Sequence, residues 1–283
     1  MKYVFFGTPE FSGIILRKLI SADVSPLAVV CNRDRPVGRK KIVTPPPVKT
    51  LAIEHRTQNI KILQPEKLDE GFRSQISDLK TDFAIVASYA KIIPKSVIEL
   101  FPRGIIGVHP SLLPKYRGSS PIQTAILNGE TVTGVTLYML DEKMDHGPVL
   151  VKQELGLVIS GLQFPKLLQK LAELGGDMLV ETLPKFLHCD IKPHTQNETD
   201  ATYTKKFKTE DAFISTEDFA AAISGNSSEI SIEIERKIRA LNPEPGVWTT
   251  QNGKRLKLLE AEMKDGRLVL KKTQLEGEKP KSV

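Results

Sequence analysis

Tyr3-Val-Phe-Phe-Gly-Thr-Pro-Glu10, then Phe11, Ile14, Ile15, Lys18 and Leu19 at helical spacing, then Leu27-Ala-Val-Val-Cys31, form the stretch from which the fold is read. An apolar run ends in a Gly-Thr-Pro turn, a helix-period stripe follows, and a second β-branched run closes the unit. A strand–helix–strand start of this length predicts a parallel sheet with a right-handed crossover. The turn lacks Gly-x-Gly-x-x-Gly, so a nicotinamide or flavin dinucleotide is not expected there. The alternation continues. Residues 48–56 read as a helix, 60–63 as a strand, 66–79 as a polar helix and 83–87 as a buried strand. Residues 95–100 read as a short helix leading into a strand that ends at His109. The fold class is therefore α/β, with a Rossmann-like, mostly parallel sheet.

Further on, residues 122–127 are expected to be helical and 134–140 to be a strand, and residues 149–151 form another short strand. Ser160 is placed to cap a long helix whose apolar stripe runs through Phe164, Leu167, Leu168, Leu171, Leu174, Leu179 and Leu183, with Gly175-Gly176 as a break or kink. From about His188 to Lys208 the composition turns polar, which reads as a linker. Residues 230–241 form a helix with Ile234, Ile238 and Leu241 on one face. Short strands then alternate with turns at Asn252-Gly253 and Asp265-Gly266, which suit tight hairpins. The expected domains are 1–189, a linker at 190–208, and a small basic β-rich unit at 209–283.

A chain of 283 residues can bury a substantial core and divide into two domains. Its first apolar run is too short for a signal peptide, and no stretch approaches a membrane span. Cys31 and Cys189 stand far apart and fit no metal spacing, so reduced thiols, a cytoplasmic location and no metal are expected. The net charge of +6 is unevenly distributed: from Arg236 onward there are twelve Lys/Arg against six Asp/Glu, while the rest of the chain balances. Such a segment suits a polyanion such as nucleic acid, or a solvated lysine-rich surface. A second basic stretch, Asn32-Arg-Asp-Arg-Pro-Val-Gly-Arg-Lys-Lys-Ile-Val-Thr-Pro-Pro-Pro47, shows no periodicity and reads as an exposed, mobile loop. Its Arg35, Arg39, Lys40 and Lys41 are candidates for phosphate contacts.

The chemistry centres on Gly104-Ile-Ile-Gly-Val-His-Pro-Ser-Leu-Leu-Pro-Lys-Tyr-Arg-Gly118, where a strand delivers His109 to a turn-rich loop. Ligands bind at the carboxyl ends of strands in such folds, and a histidine can shuttle a proton near neutral pH. A partner carboxylate comes later, at Asp145 in Met144-Asp-His-Gly-Pro148. With His109 ahead of Ser111-Leu-Leu-Pro-Lys-Tyr-Arg-Gly118 and Asp145-His-Gly-Pro148 following, the chain resembles the 10-formyltetrahydrofolate-dependent formyltransferases. The resemblance covers most of the chain and is strongest from Met1 to about Gly147. Asp34-Arg-Pro-Val-Gly-Arg39 and Asn242-Pro-Glu-Pro-Gly-Val-Trp248 are similar to segments of the members that act on methionyl-tRNA.

The resemblance implies His109 and Asp145 as catalytic residues. It implies 10-formyltetrahydrofolate as co-substrate, held by Ser111, Leu112, Leu113, Pro114 and Tyr89, with backbone groups of the 111–114 loop facing the folate. It further implies initiator methionyl-tRNA as acceptor, a basic loop that inserts into the tRNA, a C-terminal β-barrel of oligonucleotide-binding type, and a monomer. Formyl transfer needs a neutral amine, stabilisation of negative charge on the formyl oxygen, and a proton for the leaving nitrogen. His109 serves as oxyanion stabiliser or proton donor, and Asp145 either holds it charged or takes the amine proton through a water. Arg117 binds an anion or pairs with a nearby acid. His146 reads as a surface turn residue.

One position departs from the family pattern. Where the family has Asn-x-His, this chain has Gly107-Val-His109. Residues two apart on a strand share a face, so an Asn amide there would lie beside the histidine. Loss of one oxyanion donor typically costs roughly a hundred- to a thousand-fold in turnover. Either the enzyme is slow, or a water, a backbone N–H or another side chain substitutes, or the chain is a tRNA- or folate-binding relative without catalysis. A sugar-nucleotide N-formyltransferase shares the His, Asp and Ser-Leu-Leu-Pro features and is the nearest competing enzyme.

Overall fold

The computed structural model describes residues 1–38, 40–55 and 59–283. In chain order the elements are β1 (Tyr3–Gly7), α1 (Glu10–Ser21), β2 (Ala28–Val30), β3 (Arg35–Val37), β4 (Ile42–Thr44), α2 (Pro47–Glu54), β5 (Lys61–Leu63), α3 (Glu70–Ser77), β6 (Phe83–Ala87), α4 (Lys95–Ile98) and β7 (Ile105–His109). There follow β8 (Arg117–Gly118), α5 (Pro121–Leu127), β9 (Gly134–Met139), β10 (Val149–Glu154), α6 (Phe164–Leu187), β11 (Tyr203–Thr204), α7 (Thr216–Ser224), α8 (Ser228–Leu241), β12 (Trp248–Gln251), β13 (Lys254–Lys264), β14 (Arg267–Leu275) and β15 (Lys281–Ser282). They divide between two compact units. One comprises Met1–Arg117, Gly134–Leu155 and Leu168–Thr202; the other comprises Gly118–Thr133, Gly156–Leu167 and Tyr203–Val283.

In the first unit the strands pair in the order β10-β9-β7-β6-β1-β2-β5. The five from β5 to β7 are parallel, and β9 and β10 add antiparallel. Every residue of β1 and β7 is buried, as strands covered on both faces must be. The chain runs from β1 outward to β2 and β5, then returns to the other side of β1 with β6. The order therefore reverses between β1 and β6, and the crevice outside the carboxyl ends there is where such sheets bind ligands. One face of the sheet packs Val4, Phe6, Val30, Phe72, Ile76, Val97 and Phe101 into a single cluster.

Helix α6 begins at Phe164, so Ser160 is not its cap, and it continues through Gly175-Gly176 without a break. Those glycines serve close packing instead. A Cβ at 175 would stand 3.0 Å from Val108 Cγ1, and one at 176 would stand 2.7 Å from Lys18 Cβ. The stretch 32–47, read as an exposed, mobile loop, contains the antiparallel hairpin β3–β4, whose two strands are exposed, with Arg35 opposite Thr44 and Val37 opposite Ile42.

The second unit holds α5, α7 and α8 with the antiparallel sheet β12-β13-β14-β15. Its hairpin turns fall at Asn252-Gly253 and Asp265-Gly266. All four residues have positive φ, the conformation a two-residue I′ turn requires. Helix α8 buries Ile234, Ile238 and Leu241, the expected stripe. Helix α7 was not anticipated; the Ser215 hydroxyl caps it by accepting from Asp218 N, and Gly225 ends it at φ 78°. Among the described residues no helix is long and apolar enough to cross a membrane.

Candidate active site

His109 is the last residue of β7, flanked by β6 and β9, and stands opposite Thr136 in register. Thr136 fixes the loop that leaves the strand. Its hydroxyl donates to Ser111 O at 2.7 Å and accepts from Leu113 N at 3.0 Å. Ser111 N donates to His109 O, Ser111 Oγ donates to Lys115 O at 2.6 Å, and Leu113–Pro114 is a cis peptide. Leu113 O accepts from Lys152 Nζ at 3.4 Å, and Pro114 O accepts from Thr202 N. Most of the polar main-chain groups of residues 111–114, the loop expected to face the folate, are engaged within the protein. They hold the loop rigid; Ser111 and Leu113 are buried, and Leu112 and Pro114 are half-buried.

The loop returns Tyr116, at φ 62°, to the histidine, where Tyr116 O lies 2.8 Å from His109 Nε2. A carbonyl only accepts, so Nε2 carries hydrogen and Nδ1 is the nitrogen that exchanges its proton. Nδ1 faces Asp145 Oδ2 at 3.6 Å. That is beyond a hydrogen bond, and closer approach or a bridging atom would complete it. The other carboxylate oxygen, Oδ1, accepts from the Tyr138 hydroxyl at 2.7 Å. The two predicted catalytic residues are thus brought together, both largely buried.

Asp145 lies in the β9–β10 loop at φ 49°, a left-handed conformation uncommon for a residue with a side chain. Gln196 supports it: Nε2 donates to Asp145 O at 2.9 Å and to Gly147 O at 2.8 Å. Gln196 Oε1 in turn accepts from Arg117 Nε and Nη2 at 3.1 and 2.9 Å, and the fully buried Arg117 also grips Glu198 through both carboxylate oxygens. Arg117 therefore pairs with an acid, and its guanidinium holds the Glu198 carboxyl below the usual carboxylate range. The stretch read as a linker does more than connect, since Gln196 and Glu198 lie in it. His146 is also more than a surface turn: Nδ1 lies 2.6 Å from Asp141 Oδ2, and Nε2 lies 3.5 Å from Glu198.

Tyr89 follows β6 at the sheet's carboxyl edge. Its ring packs edge-on to Phe6 at 5.5 Å, and its hydroxyl is buried with no hydrogen-bond partner among the described residues. Burial, with the neighbouring Cys31 second, pushes the phenol up to about 12. Asn32 Oδ1, after β2, is likewise buried without a partner. These two orphaned polar atoms, beyond the carboxyl ends of β2 and β6, suit a ligand that hydrogen-bonds there.

Arg35, Lys40 and Lys41 are exposed on the β3–β4 hairpin, whereas Arg39 lies outside the described residues. The base of the hairpin is anchored by Lys49, which binds both oxygens of Asp34 at 2.8 Å and Gln64 at 2.9 Å. In the second unit Arg255 lies 3.8 Å over the Trp248 ring. Asn242 donates to Ile238 O, Leu258 O and Leu259 O and accepts from Val247 N, so the Asn-Pro-x-Pro segment is a structural clamp. Among the described residues no group of three or more metal-binding side chains occurs.

Tyr138, Thr136 and Gln196 escaped the sequence reading. Tyr138 and Thr136 sit in a plain β pattern whose cross-strand partners only the pairing reveals. Gln196 had no signal beyond a polar neighbourhood.

Comparison with known proteins places these observations. A family model described as formyl transferase matches residues 1–183, and one described as formyl transferase, C-terminal domain, matches residues 228–271. Over 262 residues the chain is 38% identical to a methionyl-tRNA formyltransferase of Chloroflexus aurantiacus, covering 92% of this chain and 80% of that one. It is 36% identical over 263 residues to the Staphylococcus aureus protein of the same name, covering 93% and 79%. Among solved structures, a methionyl-tRNA formyltransferase from Clostridium thermocellum matches with a TM-score of 0.62 at 18% identity, over 97% of this chain and 98% of that one. An N-formyltransferase from Helicobacter canadensis in complex with folinic acid and dTDP-3-aminofucose matches at 0.64 and 19%, over 94% and 88%. These last two bear on the fold alone.

Proposed function

The chain belongs to the formyl transferase family, and we propose that it transfers the formyl group of 10-formyltetrahydrofolate to the amino group of methionine on initiator methionyl-tRNA. The observation that carries this reading is the buried pair of His109 Nδ1 and Asp145 Oδ2, 3.6 Å apart at the carboxyl edge of the sheet. The bound donor supplies an activated formyl carbon. The chain supplies the proton for the leaving folate nitrogen from the histidine: with Nε2 tied to Tyr116 O, Nδ1 is the ring nitrogen placed to give it. Protonated, that N–H is also the donor this site offers to a developing negative oxygen, since Gly107 has no side chain to do so. Asp145 orients the imidazole and takes the proton released by the attacking amine. The orphaned Tyr89 Oη and Asn32 Oδ1 and the rigid 111–114 loop are the groups that would hold the folate.

Residues 1–189 form the catalytic domain in this proposal, 190–208 the connection, and 209–283 a basic tRNA-binding domain. Arg35, Arg39, Lys40 and Lys41 contact tRNA phosphates. A cytoplasmic location fits the substrate. Relatives named for methionyl-tRNA at 36–40% identity weigh against a sugar nucleotide as acceptor. The test is transfer of labelled formyl from 10-formyltetrahydrofolate to methionyl initiator tRNA, read as N-formylmethionine. Transfer to an amino-sugar nucleotide with none to the tRNA would overturn the assignment.

A further inference from the structure

We propose that Tyr138 is a positioning residue for Asp145, and that Gly107 is the space its ring requires. The proposal rests on the formyl-transfer reading for its catalytic consequence and on geometry for the rest. Tyr138 on β9 stands directly opposite Gly107 on β7 in the antiparallel register. A Cβ on residue 107 would lie 2.9 Å from Tyr138 Cδ1 and closer still to Cε1 and Cζ. The ring therefore occupies the position that any side chain at 107 would need. It is 4% exposed, and its hydroxyl reaches past Gly107 to Asp145 Oδ1 at 2.7 Å.

The direction of that hydrogen bond decides the role. A phenol has one hydrogen to donate, and here it is given to a carboxylate. Burial and the Asp145 charge both push the Tyr138 hydroxyl well above the ordinary phenol value, so it stays protonated and remains a donor. With that hydrogen committed, Tyr138 is not a donor to the reacting oxygen and does not replace an amide in kind. It fixes Oδ1, which leaves Oδ2 turned to His109 Nδ1. Asp145 is on a loop at positive φ, so its side chain needs such a tether to keep one orientation. Gln196 holds its carbonyl and Tyr138 its carboxylate.

The test uses the full chain with Tyr138→Phe, which keeps the ring over Gly107 and removes only the hydroxyl. Formyl transfer is measured in the native and in the Asp145→Asn backgrounds. Misplacement of a reacting group by about 1 Å costs up to roughly a hundred-fold. The expected result is a kcat loss of about 10- to 100-fold in the native background with KM for the folate little changed. In the Asp145→Asn background the loss should be under about two-fold, because Tyr138 acts only through Asp145. An equal loss in both backgrounds, or no loss in the native one, overturns the proposal. A crystal structure of Tyr138→Phe gives a readout free of activity. A carboxylate turned away from His109 supports the proposal, and one that stays in place overturns it. A wild-type protein inert toward methionyl-tRNA would sink the substrate assignment and leave this arm to decide the geometry.

Discussion

Restoring an asparagine at position 107 should damage this protein. The sequence alone invites Gly107→Asn as a repair, because an amide two residues before His109 would share its face of the strand. The register places Tyr138 opposite, and the new Cβ would meet three atoms of its ring, Cδ1 at 2.9 Å and two others nearer. Carbon atoms rest at about 3.5–4.0 Å, so the nearest ring atom must retreat by roughly 1.5 Å. Overpacking of this kind costs about 1–3 kcal/mol, and breaking the hydroxyl bond to Asp145 adds about 0.5–1.5 kcal/mol. A loss of roughly 2–4 kcal/mol lowers the melting temperature by at least about 4 °C in a chain of this size. Thermal denaturation and initial rates of formyl transfer measure both effects. Gly107→Ala should fall nearly as far, since the Cβ is the cause. Adding Tyr138→Val to Gly107→Asn should recover stability non-additively, by more than about 0.5 kcal/mol beyond the sum of the single changes. A Gly107→Asn protein as stable as the wild type and faster would refute the reasoning outright.

Gln196→Leu removes one acceptor of a fully buried guanidinium and two hydrogen bonds to the backbone of the Asp145 loop, so stability should fall by about 1–3 kcal/mol and kcat with it; a stable, fully active variant would deny the support role. The Glu198 carboxyl is depressed by its bond to Arg117, so its contribution to stability is complete above the ordinary glutamate value near 4.3 and is lost as the pH falls through the depressed one. Wild type and Glu198→Gln should therefore differ in melting temperature at neutral pH and converge in strong acid, and a constant gap across that range would contradict the assignment. If the hairpin meets phosphates, Lys40→Ala and Lys41→Ala should each reduce the slope of log affinity for tRNA against log salt by about 0.7–0.9, whereas unchanged slopes would remove these residues from the interface.

The strands of the first unit were legible because buried parallel strands are almost uninterrupted apolar runs, as in Tyr3–Gly7 and Phe83–Ala87. The Asn252-Gly253 and Asp265-Gly266 turns were legible because few residue pairs tolerate two consecutive positive φ values. Helix α7 was not, since of its residues only Ala222 is buried and its stripe is correspondingly faint. The hairpin β3–β4 was missed for a related reason: every residue of its two strands is exposed, so no alternation marks them. Gln196 and Glu198 were taken for linker because polar residues that bind other polar residues follow no period.

The same limit explains the reading of Gly107. Along the chain, a glycine where the family resemblance leads one to expect an asparagine reads as a missing donor. In space it is one half of a pair whose other half, Tyr138, lies on a strand brought alongside by a non-local antiparallel register. Each half is unremarkable alone, a small residue in a buried strand and an aromatic one in its neighbour. Together they exchange one device for another. The site forgoes a neutral donor aimed at the reacting oxygen and gains a donor aimed at the carboxylate that faces His109. Under the proposed mechanism, the charge developing on the formyl oxygen falls more heavily on the His109 Nδ1 proton, which makes the alignment of Asp145 matter more here than in a site that keeps the amide. Tyr138 should therefore weigh on kcat through Asp145, although it has no donor left for the substrate.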